Sequence, residues 1–392
     1  MNAGKKTLEC LAAGGAIRDM LLGRRPHDYD FVFRGGQEEL IQSYPKARKT
    51  GKGDKCVFIC NAQEYCPLFH DDPVADIARR DFTINALLLS DAGILHSHPN
   101  TLSDLKNGIL RPIHARSLAD EPVRLFRAAR LYASFPGFTP HEECLSQMRG
   151  LSQESLAAIA PERVGAEVQK ACLAQRPGNF LALLASTNSF SSWFAELTEA
   201  DTIPAGPAAY HSRTVLGHTI RVMDETATLA REQGFIAPND KTRALAVWIA
   251  LCHDLGKTLT PCEEWPHHYG HEGRGGSLAE RLGHRLRLPA IFIKAGKLAA
   301  LLHMKAGMYA RLRPGTRVDL LVTLHKAGIV VPFFLMVTCD SQQPNILATA
   351  QRDLAILTRV RLPEHWQNKG PLSSARLREM RCVAISDNSL KI

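Results

Sequence analysis

The alternation of apolar and polar positions divides the chain in two. Over residues 1 to about 113 the pattern is mixed. Thr7 to Ala12 and Tyr29 to Phe33 follow a period of two and predict strands. Leu87 to Ser90 and Ile94 to His98 flank Asp91-Ala92-Gly93, which predicts a hairpin. Between the first two strands, Ile17, Met20 and Leu21 fall at i, i+3 and i+4, so Ala16 to Leu22 predicts a short amphipathic helix. From about residue 118 the period lengthens, and Pro122 to Tyr132, Pro161 to Ala174, Val215 to Glu232 and Thr242 to Cys252 predict helices. Asp201 to Pro207, rich in proline and small residues, reads as a linker. Pro261 to Gly276, with proline, glycine and histidine, reads as a loop. The longest uncharged apolar run, Ala327 to Cys339, has 13 residues, short of the roughly 20 that span a bilayer.

Composition fits this picture. A length of 392 residues suits two or three domains. Hydrophobic residues at 45% and charged residues at 22% are globular values that exclude a collagen-like or disordered chain. With 48 Lys and Arg against 39 Asp and Glu, the net charge of +9 favours a polyanionic partner. Lys5 and Lys6 precede an apolar stretch, but Glu9, Arg18 and Asp19 interrupt it too early for a secretory leader. Ten scattered cysteines, of which only Cys56, Cys60, Cys66 and the nearby His70 cluster, read as a reduced cytoplasmic chain rather than a zinc site.

Four short motifs carry chemistry in the first third. Gly14-Gly15 opens the first helix, where backbone N–H groups can approach a phosphate and Arg18 can add charge. In Asp28-Tyr29-Asp30 the period of two puts both carboxylates on one strand face, about 7 Å apart at Cα, a spacing that suits paired Mg²⁺ ions. Arg79-Arg80-Asp81-Phe82-Thr83-Ile84-Asn85 adds two guanidinium groups. In Asp120-Glu121-Pro122-Val123-Arg124, Glu121 and Arg124 face the same side of a helix, and Arg127 and Arg130 continue a positive ridge.

In this order the four motifs resemble the class II tRNA nucleotidyltransferases, the CCA-adding enzymes and their poly(A) polymerase relatives. The resemblance implies an α+β chain, with a polymerase-β-like nucleotidyltransferase head followed by an all-α neck and body. It implies that Asp28 and Asp30 bind Mg²⁺ and that Gly15, Arg18, Arg80, Arg127 and Arg130 contact the nucleotide, with Asn85 in support. A tRNA 3′-hydroxyl would attack the α-phosphate of CTP or ATP. Glu121 and Arg124 would form a protein template, because cytosine and adenine each present an amino donor beside a ring nitrogen acceptor. The family places Glu-Asp-Pro where this chain has Asp120-Glu121-Pro122. A third family carboxylate has Glu64 as its nearest counterpart. Only 14 residues, Tyr65 to Ala78, separate Glu64 from Arg79. Members that add the terminal A carry a longer loop there, so addition of C alone is a second reading. A poly(A) polymerase and a phosphohydrolase with a degenerate head are further alternatives.

The helical part carries a second cluster. His253-Asp254 ends an apolar helix and offers nitrogen and oxygen ligands to one metal. His218, His253, Asp254 and Asp340 resemble the ligand pattern of the HD phosphohydrolase domain, and His271 and His303 match the extra histidines of its fuller sites. The resemblance implies a divalent transition metal (Ni, Co, Mn or similar) and hydrolysis of phosphoesters. The expected division is a head over 1–113, a neck and body over 114–207, an HD domain over 208–345 and a basic tail over 346–392. The last 43 residues hold eight Lys and Arg against four Asp and Glu. The expected partners are a tRNA 3′ end, CTP and ATP, with no membrane, in a monomer or homodimer.

Overall fold

The computed structural model describes residues 8–26, 28–51, 56–190, 193–208 and 213–389. Lys5, Lys6 and Thr7 lie outside the described residues. The chain forms two compact units, Met1–Ala128 with Gly137–Ser155, and Ala129–Pro136 with Leu156–Ile392.

The first unit is built on β1 (Glu9–Ala13), α1 (Gly15–Leu21), β2 (Asp30–Arg34), α2 (Gln37–Ser43), β3 (Arg48–Thr50), β4 (Val57–Cys60), β5 (Gln63–Pro67), α3 (Pro73–Ala78), β6 (Leu87–Ser90) and β7 (Leu95–Ser97). The strands make one sheet in the order β3-β4-β5-β2-β1-β6-β7. The β2–β5 pair is parallel and the other named pairs are antiparallel. Alternation along β2 serves two cores. Phe33 packs with Phe58, Tyr65 and Leu40 of α2, and Phe31 lies against them. Val32 packs on the other face with Leu11, Ala13, Leu88 and Ile77 of α3. Asp30, two residues before Val32, shares that second face. The first strand, the DxD strand and the hairpin thus form where the period of two puts them. Then come α4 (Thr101–Asn107), β8 (Ile109–Leu110), α5 (Ser117–Asp120), α6 (Arg124–Ser134), β9 (Thr139–Pro140) and α7 (Glu142–Arg149). The β8–β9 pair is a small parallel sheet.

The helical unit contains α8 (Gln153–Ala157), which begins at the boundary, then α9 (Pro161–Ala171), α10 (Gly178–Ser186), α11 (Val215–Glu232), α12 (Lys241–Cys252), α13 (His271–Arg285), α14 (Ala290–Gly307), α15 (Pro314–Ala327), α16 (Val330–Ser341), α17 (Ile346–Arg359) and α18 (Pro371–Ser389). Every residue of α12 from Arg243 to Cys252 is buried. A helix apolar on all sides belongs at the centre of a bundle, and α11, α14 and α16 pack around it. Among the described residues no helix is long and apolar enough to cross a membrane.

Two expectations change. The predicted linker Asp201–Pro207 is bound to the helical unit: Pro204 bridges to Thr214, Ile203 and Ala205 are buried, and the Val215 N–H donates to the Ile203 carbonyl at 2.8 Å. Small residues that suit a linker also suit a strand-like strap under tight packing. The predicted loop Pro261–Gly276 ends in helix, because α13 starts at His271. Two of its glycines are there for contact: a methyl on Gly275 would lie 3.1 Å from Ala300 and one on Gly276 2.9 Å from Leu301, both of α14. Part of the basic tail is also paired, with Arg378 bidentate to Asp319 at 2.7 and 2.8 Å.

Candidate active sites

The parallel β2–β5 register sets Asp30 opposite Glu64, so both carboxylates rise from one sheet face into a cleft of about 320 Å³. Asp28 is exposed just before β2. Asp28 is not among the residues that line the cleft; the oxygen donors of Asp30 and Glu64, which do line it, suit Mg²⁺ rather than a softer ion. Arg79 and Arg80 line the same cleft, held by Asp76, which is 1% exposed. Arg80 Nη2 is 2.8 Å and Arg79 Nη2 is 3.1 Å from its oxygens. Gly14 has φ +64°, and a Cβ there would meet Arg80 Nη1 at 3.0 Å, so only glycine lets α1 start this close to the arginine. Gly15 is the first residue of α1. Arg18 donates from Nη1 to Asn85 Oδ1 at 2.6 Å and from Nε to Asp19 Oδ1 at 2.9 Å. Cys66 also lines the cleft; burial, with Glu64 and Asp30 nearby, pushes its thiol up to about 11.

Asp81, absent from the sequence-derived site, connects several of these groups. Its Oδ1 accepts from Asn85 Nδ2 at 3.2 Å and from the Phe82 N–H at 2.7 Å, and Oδ2 accepts from Arg127 Nη1 at 3.1 Å. Burial opposes its charge, but Arg127 and the donors from Asn85 and Phe82 hold the carboxyl below its ordinary range. Glu121 and Arg124 form an ion pair at 3.1 Å. Arg124 is 8% exposed and also donates to Ser117 Oγ at 2.8 Å and to the Arg79 carbonyl at 2.7 Å. The expected positive ridge is therefore neutralised: Arg127 faces Asp81, and Arg130, in the helical unit, faces Glu167.

The six metal-ligand candidates of the helical unit converge. His218, His253 and Asp340 form one triad, and Asp254, His271 and His303 another. Asp254 lies between the two. Its Oδ2 is 3.3 Å from His253 Nε2 and 3.5 Å from His218 Nε2, while its Oδ1 is 3.5 Å from His271 Nε2 and 3.4 Å from His303 Nε2. Asp340 Oδ1 is 3.0 Å from His218 Nε2. His253, His271 and His303 each set Nδ1 against a backbone carbonyl, of Ala250, His268 and Ala299. A carbonyl only accepts, so Nδ1 carries the proton and Nε2 points inward as a metal donor. Buried Asp254 Oδ1 has no hydrogen-bond partner. An orphaned carboxylate oxygen at 2% exposure inside a histidine cage is costly unless a cation meets it, and this nitrogen–oxygen donor set suits a divalent transition metal.

The charges agree with that reading. Burial works against ionised Asp254 and Asp340, but Lys257 and His253 hold Asp254, and His253 and His218 hold Asp340, well below the carboxylate range. Burial also disfavours a charged His253, yet Asp254 and Asp340 carry it up to about 10 without a metal. Lys257 was outside the sequence-derived set. Its Nζ donates to Asp254 Oδ2 at 2.8 Å and to the Ala205 carbonyl at 2.7 Å, tying the strap to the cluster. His268 is buried and reaches the Pro204 carbonyl at 2.7 Å.

Comparison with known proteins matches this layout. Residues 10–67 match the Poly A polymerase head domain, 137–201 the probable RNA and SrmB-binding site of polymerase A, and 215–327 the HD domain. A solved Thermotoga maritima CCA-adding enzyme complexed with tRNA_CCA aligns with TM-score 0.62 and 17% identity, over 96% of this chain and 86% of that one. A CCA-adding enzyme solved with ATP aligns with TM-score 0.62 and 18% identity, over 96% and 87%. The Multifunctional CCA protein of Alkalilimnicola ehrlichii is 32% identical over 365 residues, covering 84% of this chain and 83% of that protein. On that similarity the chain belongs to the multifunctional CCA proteins, class II tRNA nucleotidyltransferases that carry an HD domain.

Proposed function

We propose that nucleotidyl transfer occurs in the cleft beside Asp30 and phosphoester hydrolysis at the cluster around Asp254. The chain is a tRNA 3′-end nucleotidyltransferase that builds the CCA end from CTP and ATP without a nucleic-acid template, and its HD domain is a metal-dependent phosphohydrolase. The transfer site rests on one observation, the in-register pairing of Asp30 with Glu64 in a cleft lined by arginines. On this reading Asp28, Asp30 and Glu64 hold Mg²⁺, which when bound makes the attacking hydroxyl more acidic and offsets triphosphate charge. The tRNA 3′-oxygen forms a bond to the α-phosphorus while the bond to pyrophosphate breaks. Gly15, Arg18 and Arg80 receive the phosphates, Asn85 steadies Arg18, and Arg127 supports the nucleotide. Glu121 accepts from the exocyclic amino group and Arg124 donates to the ring nitrogen. Guanine and uracil present the reverse pattern and leave both groups unpaired, which discriminates strongly.

In the HD domain, His218, His253, Asp254 and Asp340, with His271 and His303, would hold divalent metal. Such ions activate water against a phosphoester. Nickel, cobalt or manganese suits the nitrogen-rich donors, and tRNA ends bearing a 3′-phosphate or 2′,3′-cyclic phosphate are the substrates we assign. The parts divide on this reading at about residues 113, 207 and 345, and the work belongs to the cytoplasm. Addition of C alone is a second reading, favoured by the short connection Leu68–Asp72 between β5 and α3.

The test uses purified protein, Mg²⁺ and transcripts ending at the discriminator base, at C74 and at C75, with labelled CTP or ATP. Two C residues followed by one A are expected. No ATP use on the CC-ended transcript would establish the second reading, and no addition on any transcript would overturn transfer in the head.

A further inference from the structure

We propose that Ser117 is a positioning residue for base selection: its hydroxyl fixes the plane of the Arg124 guanidinium. The proposal rests on the reading of Arg124 as the group that reads the base. Ser117 opens α5 and is fully buried. Its Oγ donates to the Asp81 carbonyl at 3.0 Å and accepts from Arg124 Nη1 at 2.8 Å. A serine hydroxyl has one proton. With that proton on a carbonyl, the lone pairs face the guanidinium and cannot turn away. The other contacts act in the same plane: Nη1 also faces the Ser117 carbonyl at 3.3 Å, Nη2 meets the Arg79 carbonyl at 2.7 Å, and Nε meets Glu121 Oε2 at 3.1 Å. Four of the five guanidinium N–H groups are thereby assigned. The Asp81 carbonyl also accepts the Ile113 N–H at 3.1 Å, so the segments 79–81, 113–117 and 121–124 meet at this one hydroxyl.

A rigid guanidinium matters because base reading depends on angle. A ring nitrogen acceptor in cytosine or adenine and a ring N–H in uracil or guanine differ only in where a proton lies, and hydrogen bonds weaken steeply away from linearity. An Arg124 free to swing could donate to a uracil carbonyl instead. Ser117 acts through Arg124 and touches no substrate.

The experiment measures single-turnover kcat/KM for CTP, ATP, UTP and GTP on the discriminator-ended and CC-ended transcripts. It uses wild type, Ser117→Ala, Ser117→Cys, Arg124→Lys and the Ser117→Ala/Arg124→Lys double variant. Loss of one hydrogen bond to a charged group lowers the CTP:UTP ratio in Ser117→Ala by about tenfold. Ser117→Cys, with a weaker acceptor of similar size, falls between. In the Arg124→Lys background, Ser117→Ala leaves the ratio unchanged. Equal losses for all four nucleotides, or an undiminished Ser117→Ala effect in the Arg124→Lys background, would overturn the proposal and leave Ser117 a packing residue. An unchanged CTP:UTP ratio in Arg124→Lys would instead overturn the base-reading role of Arg124, and the proposal with it. Phosphohydrolysis and thermal unfolding, measured on each variant, separate loss of fold from loss of selection.

Discussion

Asp254 illustrates how much one side chain can organise. Its Oδ2 lies beside His218 and His253 of one triad and its Oδ1 beside His271 and His303 of the other. Asp254→Asn keeps the shape but replaces one carboxylate oxygen by an amide that donates. We expect it to abolish phosphohydrolysis and to lower bound transition metal per chain, measured by elemental analysis, while CTP addition stays within about twofold of wild type. Asp81 is the corresponding hub of the head. Its carboxyl is held below the ordinary value in the native state, so its contribution to stability is complete above its unfolded-state pKa and is lost as pH falls through the lower native pKa. Asp81→Asn should therefore be less stable than wild type by a constant amount from pH 8 to about 5, with the gap narrowing below about pH 4. Urea unfolding of both proteins across that range checks the sign. Asp28, Asp30, Arg80, Arg124 and the six HD-domain candidates stand out in the sequence as candidates because their types and spacing imply chemistry. Asp81, Ser117 and Lys257 do not, because their work lies in contacts with backbone carbonyls and with residues distant in sequence.

At the scale of elements, register and close approach carry the sites. The strand with period-two carboxylates was readable, but its parallel partner was not, because nothing local in Gln63–Pro67 states which strand it joins. That pairing sets Glu64 opposite Asp30. Glu64→Gln, which removes charge and keeps volume, should cut CTP addition by at least tenfold and leave hydrolysis intact; an unchanged rate would remove Glu64 from the Mg²⁺ set. Glycines were harder to read. A Cβ on Gly256 would lie 1.8 Å from the His271 carbonyl and 2.6 Å from the Gly275 nitrogen. Both are backbone atoms, so no rotamer relieves the clash. Gly256→Ala should destabilise the helical unit by about 3 kcal/mol and move His271 out of the cluster. Loss of hydrolysis with a lower melting temperature checks this.

For the whole molecule, the two sites use different donors and should separate by metal. After chelation and dialysis, Mg²⁺ alone should restore CTP addition, because oxygen donors accept it, whereas hydrolysis should return only with nickel, cobalt or manganese. Recovery of both activities with Mg²⁺ alone would count against the transition-metal assignment. His253→Ala should still extend a hydroxyl-ended transcript but fail on one ending in a 2′,3′-cyclic phosphate. The amino-acid order alone carried the α+β head, the helical body and the class of the elements whose period was read, apart from the loop that ends in α13. Periodicity and motif spacing are local properties and survive in one dimension. Folding in three dimensions settled the parallel β2–β5 register, the gathering of six candidate ligands spread from His218 to Asp340 into one cluster, the conversion of a presumed linker into a strap held by Lys257 and His268, and the neutralisation of the arginine ridge. Each of these depends on which distant segments pack together, and that follows from burying the faces of the sheet and of α12, whose partners no local pattern names.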